Sequence, residues 1–393
     1  MLKRSFQVFA LLLVVSTGSI SPAFSAFHSG GVGSCSGCHT GHGTEDGQSL
    51  ITTPGASLLL ASDPSSVCLN CHAGPGGNNV PSVFSFDGSA MTPGGDFYWL
   101  TKSFTWSGGS SPAARHGHNI VARDYGLGAD PNKSQGAGGS YPSAQLSCIS
   151  CHDPHGRSSG GTRDGSQAVS VSGSYGETPD SGTSSGNYRL LGGINYTRSG
   201  YSFSNPPPIA RQNAGNPFGE QDDSHVAYGS GMSEWCGNCH SAVLNNQHMV
   251  GGADFTHPVS GISAGMTAET VSIYNSYVRS GDLSGIAATA YLQFVPFEQG
   301  TDDVALLDPT STQGPDSNAN VSCLSCHRAH ASAFRNSGRW DFTADLLQDS
   351  HPAVGDSGVS GNDVAYSYYQ RDLLSEFGPD QGPFCEKCHG ATP

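Results

Sequence analysis

All twelve cysteines of this chain fall in six C-x-x-C pairs, and each pair is followed at once by a histidine. The sites are Cys35/Cys38/His39, Cys68/Cys71/His72, Cys148/Cys151/His152, Cys236/Cys239/His240, Cys323/Cys326/His327 and Cys385/Cys388/His389. Two C-x-x-C pairs can make a zinc site, and exported chains pair cysteines as disulfides. Neither use accounts for six adjacent histidines, and a thioredoxin-type pair needs no such histidine. C-x-x-C-H is the attachment pattern of a c-type haem. Two thioethers clamp the porphyrin edge, and the neighbouring imidazole is thereby held against the iron. The sequence predicts six covalent haems, anchored by the twelve cysteines, with His39, His72, His152, His240, His327 and His389 as proximal iron ligands.

That framework also explains an otherwise awkward composition. The 393 residues include 54 Gly and 23 Pro, and only 12% are charged. Such material is poor for long helices or a large aliphatic core. The expected fold is mostly coil or loop, with a few short helices and minimal strand, wrapped around closely packed haems that serve as the apolar interior. A net charge of −15 excludes nucleic acid as a partner, since a binding face for it must be basic.

Sixteen histidines are present, so ten remain beyond the proximal six: His28, His42, His116, His118, His155, His225, His248, His257, His330 and His351. Three of them extend the motif to C-x-x-C-H-x-x-H, at "CSGCHTGH", "CISCHDPH" and "CLSCHRAH". The second histidine cannot cap the iron that the first one holds. Two imidazoles on opposite faces of one iron, each about 2 Å from it, keep their Cα atoms on the order of 12 Å apart. Three residues fully extended reach at most ~10–11 Å, and a helical turn about half of that. His42, His155 and His330 therefore serve other haems or none. If they ligate, one short turn grips two irons and forces two haems together. The remaining distal ligands must come from the other histidines. Met91, Met232, Met249 and Met266 have no distinctive setting and read as packing residues.

The first 26 residues read as a cleaved signal peptide: Lys3 and Arg4, the apolar run "FQVFALLLVV", then "SPAFSA" with the cut near Ala26. The run is too short to span a membrane, and no later stretch reaches spanning length. The gaps between attachment sites differ, so no strict repeat is visible, and residues 27–393 read as one unit. The stretches 173–187 and 302–320 are low in complexity and expected to be exposed. The short-helix candidates are 271–283 and 365–377. The aromatic groups "DFYWL" and "SEWCGNCH" are expected to wall haem pockets.

The words "AFHSGGV", "MTPGGDF", "GHNIVA", "CHDPHG", "AYGSGMSEWC", "YNSY", "SGDL", "CLSCHRAHAS" and "FCEKCHG" run from the mature N-terminus to the end. With them the chain resembles the OmcS-like family of hexahaem outer-surface cytochromes, whose members polymerise into conductive extracellular filaments in metal-reducing bacteria. The resemblance covers essentially the whole mature chain. It implies two histidines on every iron, with His28, His42, His118, His155, His257 and His330 as the distal set. It leaves His116, His225, His248 and His351 as non-ligands. It further implies that His42 caps the fifth-site haem, held by His327, in the adjacent subunit, giving a head-to-tail homopolymer. Other multihaem cytochromes and extracellular metal acceptors such as metal oxides are the implied partners, at the outer cell surface. Two other readings stand beside this one. A monomeric periplasmic shuttle would use the same haems without polymerising. A multihaem oxyanion reductase would need one iron left open for substrate, and no shortage of histidines forces such a vacancy.

Overall fold

The computed structural model describes residues 37–40, 44–45, 48–49, 58–74, 81–154, 188–194, 196–213, 219–244, 249–250, 253–254, 259 and 265–390. The segment 1–26, the stretch 173–187, and His28, Cys35, His42, His155, His248 and His257 lie outside the described residues.

Regular structure is short everywhere, as the glycine and proline content dictates. Among the described residues the helices are α1 (Pro64–His72), α2 (Met232–Cys236), α3 (Ser241–Leu244), α4 (Ala268–Ser276), α5 (Cys323–Cys326), α6 (Gly361–Ser367), α7 (Leu373–Phe377) and α8 (Gly382–His389). Several start on a side-chain cap that satisfies an orphan N–H. Asp63 accepts from Ser66 at α1, Thr267 from Thr270 at α4, and Asp372 from Ser375 at α7. Strands occur as antiparallel two-stranded ribbons, such as Phe104–Trp106 with Gly109–Ser111 and Ala210–Gln212 with Val226–Tyr228.

The two helix expectations are corrected in their bounds. The first candidate, 271–283, starts earlier, at the Thr267 cap, and stops at Ser276 because Tyr277 turns extended. Val278 then closes a turn by donating its N–H to Asp282 at 3.0 Å. The second, 365–377, is two helices. Tyr369 and Gln370 between them have φ of 55° and 63°, a left-handed conformation that ends a right-handed helix. The Tyr369 hydroxyl, donating to the Thr92 carbonyl at 2.6 Å, ties the break to a distant loop. The stretch 302–320 is also not simply exposed, since Leu307 and Ala319 are fully buried.

Apolar side chains gather in separate pads. One holds Phe84, Phe97, Trp99, Phe104 and Phe334 and packs on Cys148. A second holds Tyr274, Phe294 and Phe384 beside Cys388, and a third Tyr188, Tyr228 and Met232 beside Cys236. Each of these three pads thus abuts an attachment cysteine.

The first pad is pinned by a buried carboxylate. Asp96 accepts from the Ser85 and Ala90 N–H groups at 3.1 Å, the Tyr98 N–H at 2.9 Å, and the Ser85 hydroxyl. Its own N–H donates to Ala331 at 3.0 Å, next to His330. Asp96→Asn would aim an NH2 donor at a nest of donors. The expected loss of stability is about 1–3 kcal/mol, read from the denaturation midpoint of the haem-loaded protein.

Candidate haem-binding sites

The attachment loops share one local design. Each of the five that are described throughout compresses its two cysteines and histidine into a single turn, which puts residues three and four apart on one side. In the third, fourth and fifth sites the histidine N–H donates to the carbonyl of the first cysteine, at 3.0, 3.0 and 2.9 Å. The histidine rings are oriented by backbone carbonyls. The Nδ1–H groups of His39, His72, His152, His240 and His327 donate to Leu58, Pro81, Arg189, Ala137 and Asn336 at 2.6–3.1 Å. A carbonyl can only accept, so Nδ1 carries the hydrogen and Nε2 presents its lone pair. That is the tautomer an iron ligand needs.

Two of the expected distal histidines are described, and each faces a proximal one. The His152 and His330 ring centroids are 6.3 Å apart, and those of His118 and His240 are 5.9 Å apart. Two imidazoles gripping one metal from opposite faces, each at about 2 Å, have centroids roughly 6 Å apart. The spacing suits an iron between them. His118 is oriented like the proximal rings, with Nδ1–H on the Ala329 carbonyl at 2.6 Å, and its N–H donates to the His330 carbonyl at 2.9 Å. The two distal histidines therefore sit on backbones that touch. Gly117 makes the approach possible: a Cβ there would lie 2.3 Å from the His330 carbonyl oxygen. Among the described residues no group of three or more His, Cys, Asp or Glu side chains could hold a bare metal ion.

Three other histidines are placed differently. His116 is fully buried, with Nδ1 on the Trp99 carbonyl at 2.9 Å and Nε2 on the Ser111 hydroxyl at 2.8 Å, so both nitrogens are taken. Burial pushes it down to about 4. His225 stacks on Tyr291 at 3.9 Å, and its Nδ1 meets the Asp222 carbonyl at 3.1 Å. His351 stacks on Trp106 at 3.8 Å and meets the Asp356 carboxylate at 2.6 Å. A distal ligand could not be told from these by residue type alone. The signal for His118 was the word "GHNIVA", which carries the family resemblance.

The sulfur atoms order the sites in space. None of the eleven described cysteines is in a disulfide. Cys68 of the second site lies beside Cys148 of the third, and Cys236 of the fourth beside Cys323 of the fifth. Cys38 lies near Cys68, Cys239 near Cys151, and Cys326 near Cys388. The six sites thus follow one another in sequence order. A repeat that the sequence gaps conceal appears here. The Cys148 N–H donates to Ser65 Oγ and the Cys323 N–H to Ser233 Oγ, both at 3.1 Å. Each serine stands three residues before the first cysteine of the preceding site. Ser147/Ser150 and Ser322/Ser325 then form matching capping boxes. Sites two and three are built like sites four and five.

The polypeptide covers Cys71 less than the other described cysteines, which it half-buries. The reason lies in α1. Cys68 turns toward Cys148, while Asn70 and Cys71 both lie on the outward side of the last turn. The Tyr125 hydroxyl, donating to Asn70 at 3.1 Å, reaches over that side.

No family model matches the chain. It is 39% identical to the C-type cytochrome OmcS of Geobacter sulfurreducens, across 99% of this chain and 98% of that one. The chain belongs to the OmcS family of c-type cytochromes. Its structure is similar to the Outer Membrane Cytochrome S filament of Geobacter sulfurreducens, with a TM-score of 0.75 and 37% identity over 93% of this chain and all of that one. The OmcS nanowires of the same organism give a TM-score of 0.74 at the same identity and coverage. As a member of this family the chain carries covalent c-type haem and is an electron carrier, not an enzyme that transforms a bound substrate. Its loop-dominated fold is the OmcS fold. No described helix is long and apolar enough to cross a membrane.

Proposed function

We propose that the chain holds six haems, each iron gripped by two histidines, and that it polymerises head to tail into an extracellular electron conduit. When bound, the haems supply one-electron Fe(III)/Fe(II) exchange between neighbouring porphyrin edges. The chain's own part is to anchor, order and orient. The observation that carries the reading is the 6.3 Å separation of His152 and His330. His330 belongs to the fifth attachment turn, yet it faces the proximal histidine of the third.

The second histidine of a C-x-x-C-H-x-x-H turn therefore serves the site two places back. Applied to the third site, the same step gives the first-site iron, held by His39, to His155. Applied to the first site, it runs off the chain. Two places back from the first site is the fifth site of the preceding subunit, so His42 caps the iron held there by His327. His118 serves the fourth-site iron opposite His240, and His28 and His257 serve the irons held by His72 and His389. In this reading all twelve cysteines, Cys71 among them, bond porphyrin edges. Residues 1–26 direct export, and residues 27–393 act as one unit at the outer surface, passing electrons from other multihaem cytochromes to acceptors such as metal oxides.

The test is intact mass of the secreted protein together with cryo-electron microscopy tracing every sixth ligand. Six haems, and filaments in which His42 crosses to the neighbour's fifth site, are expected. Discrete particles with all irons capped from within would make it a shuttle, and an open iron would point to an enzyme.

A further inference from the structure

Between the two histidines of the fifth site stands Arg328, and its surroundings are ionic. Arg328, Arg339 and Glu220 are all buried, at 3%, 1% and 5% exposure. Glu220 accepts from Arg328 Nη1 on one oxygen and from Arg339 Nη2 on the other, the latter at 3.1 Å. Burial pushes the Glu220 carboxyl up, but the two arginines outweigh it and hold the group below the ordinary range. Two guanidiniums thus face one carboxylate, and the cluster keeps a net positive charge.

The cluster is fastened to the attachment loop. Arg339 Nε donates to the Leu324 carbonyl at 2.5 Å and its backbone N–H to Cys326 at 2.9 Å, both inside the fifth C-x-x-C. The Arg328 guanidinium lies 3.6 Å from the centroid of the Tyr369 ring. The next ionic group along, Arg371 with Asp222 and Glu376, has carboxylates 40% and 37% exposed and is screened by water. The matching position in the other doubled sites holds Thr40 and Asp153. The fifth site alone places a cation there.

We propose that Glu220, Arg328 and Arg339 form a potential-setting site that raises the reduction potential of the fifth-site haem. Reduction adds one negative charge to the haem, and a buried net positive charge beside it stabilises the reduced form far more than a solvated one would. The three are positioning residues for charge. The inference rests on the six-haem reading, so haem count is checked first and separately.

The experiment is an optical redox titration of the full, haem-loaded protein as wild type, Glu220→Gln, Arg328→Gln and Arg328→Lys, each verified by mass. Glu220→Gln is expected to move one sixth of the amplitude upward, by about tenfold in the electron-transfer equilibrium constant, which is 59 mV for a one-electron couple. Arg328→Gln should move the same fraction downward by a similar factor, and Arg328→Lys should stay near wild type. Lost packing cannot give opposite signs. Shifts of one sign, shifts spread over the whole curve, or no shift would overturn the proposal. If Arg328→Gln does not load, the direction of the Glu220→Gln shift decides. If neither loads, the cluster is a folding element and the proposal fails. A wild-type mass short of six haems would overturn the underlying reading, and the proposal with it.

Discussion

His42→Ala is expected to leave six haems attached and to reduce filaments to near zero. Covalent attachment uses the cysteines and the proximal histidines, none of which the substitution touches. What it removes is the one ligand that the two-places-back step sends outside the chain. A head-to-tail contact that does not close on itself makes an open polymer, and deleting its central bond leaves single subunits. Electron microscopy and light scattering on matched, mass-verified samples read the result. His116→Ala is the contrast, because His116 has both nitrogens satisfied inside its own pad. That variant should lose stability yet still polymerise. Filaments of normal length from His42→Ala would remove the inter-subunit ligand.

His330→Ala should open one iron within the chain. With His330 gone, His152 holds the third-site iron from one face only. The expected spectrum gains a five-coordinate, high-spin component equal to one sixth of the haem, and carbon monoxide binds at one per chain. The backbone carbonyl that receives the His118 N–H is retained, so the His118/His240 pair should stay low-spin. The imidazole also stacks on Phe97 at 4.7 Å, and its removal should cost about 1–3 kcal/mol. An unchanged spectrum that takes up no carbon monoxide would mean that another group caps this iron.

The chemistry of the chain was legible because C-x-x-C-H is a local pattern, contained in five residues. The loop-rich fold was legible for the same kind of reason, since glycine and proline act one position at a time. The refusal of self-capping by His155 or His330 needed only the reach of a backbone. What stayed hidden was the pairing. His118 and His240 are separated by more than a hundred residues, and nothing near either names the other. The helix candidate at 365–377 failed because its break is set from afar, by the Tyr369 hydroxyl reaching Thr92. The likeness of sites two and three to sites four and five was also invisible. It resides in which serine receives which N–H, while the intervening loops differ in length.

The doubled turns carry a rule of parity. They stand at sites one, three and five, so a step back by two sites links only odd-numbered irons into a thread, while the even-numbered ones take histidines from elsewhere in the chain. A subunit boundary preserves that thread only when the number of haems per chain is even. A version of this chain shortened to four sites, or lengthened to eight, could still join end to end with an unaltered joint. One with five or seven would hand its odd thread to its neighbour's even-numbered irons, and the joint would not match.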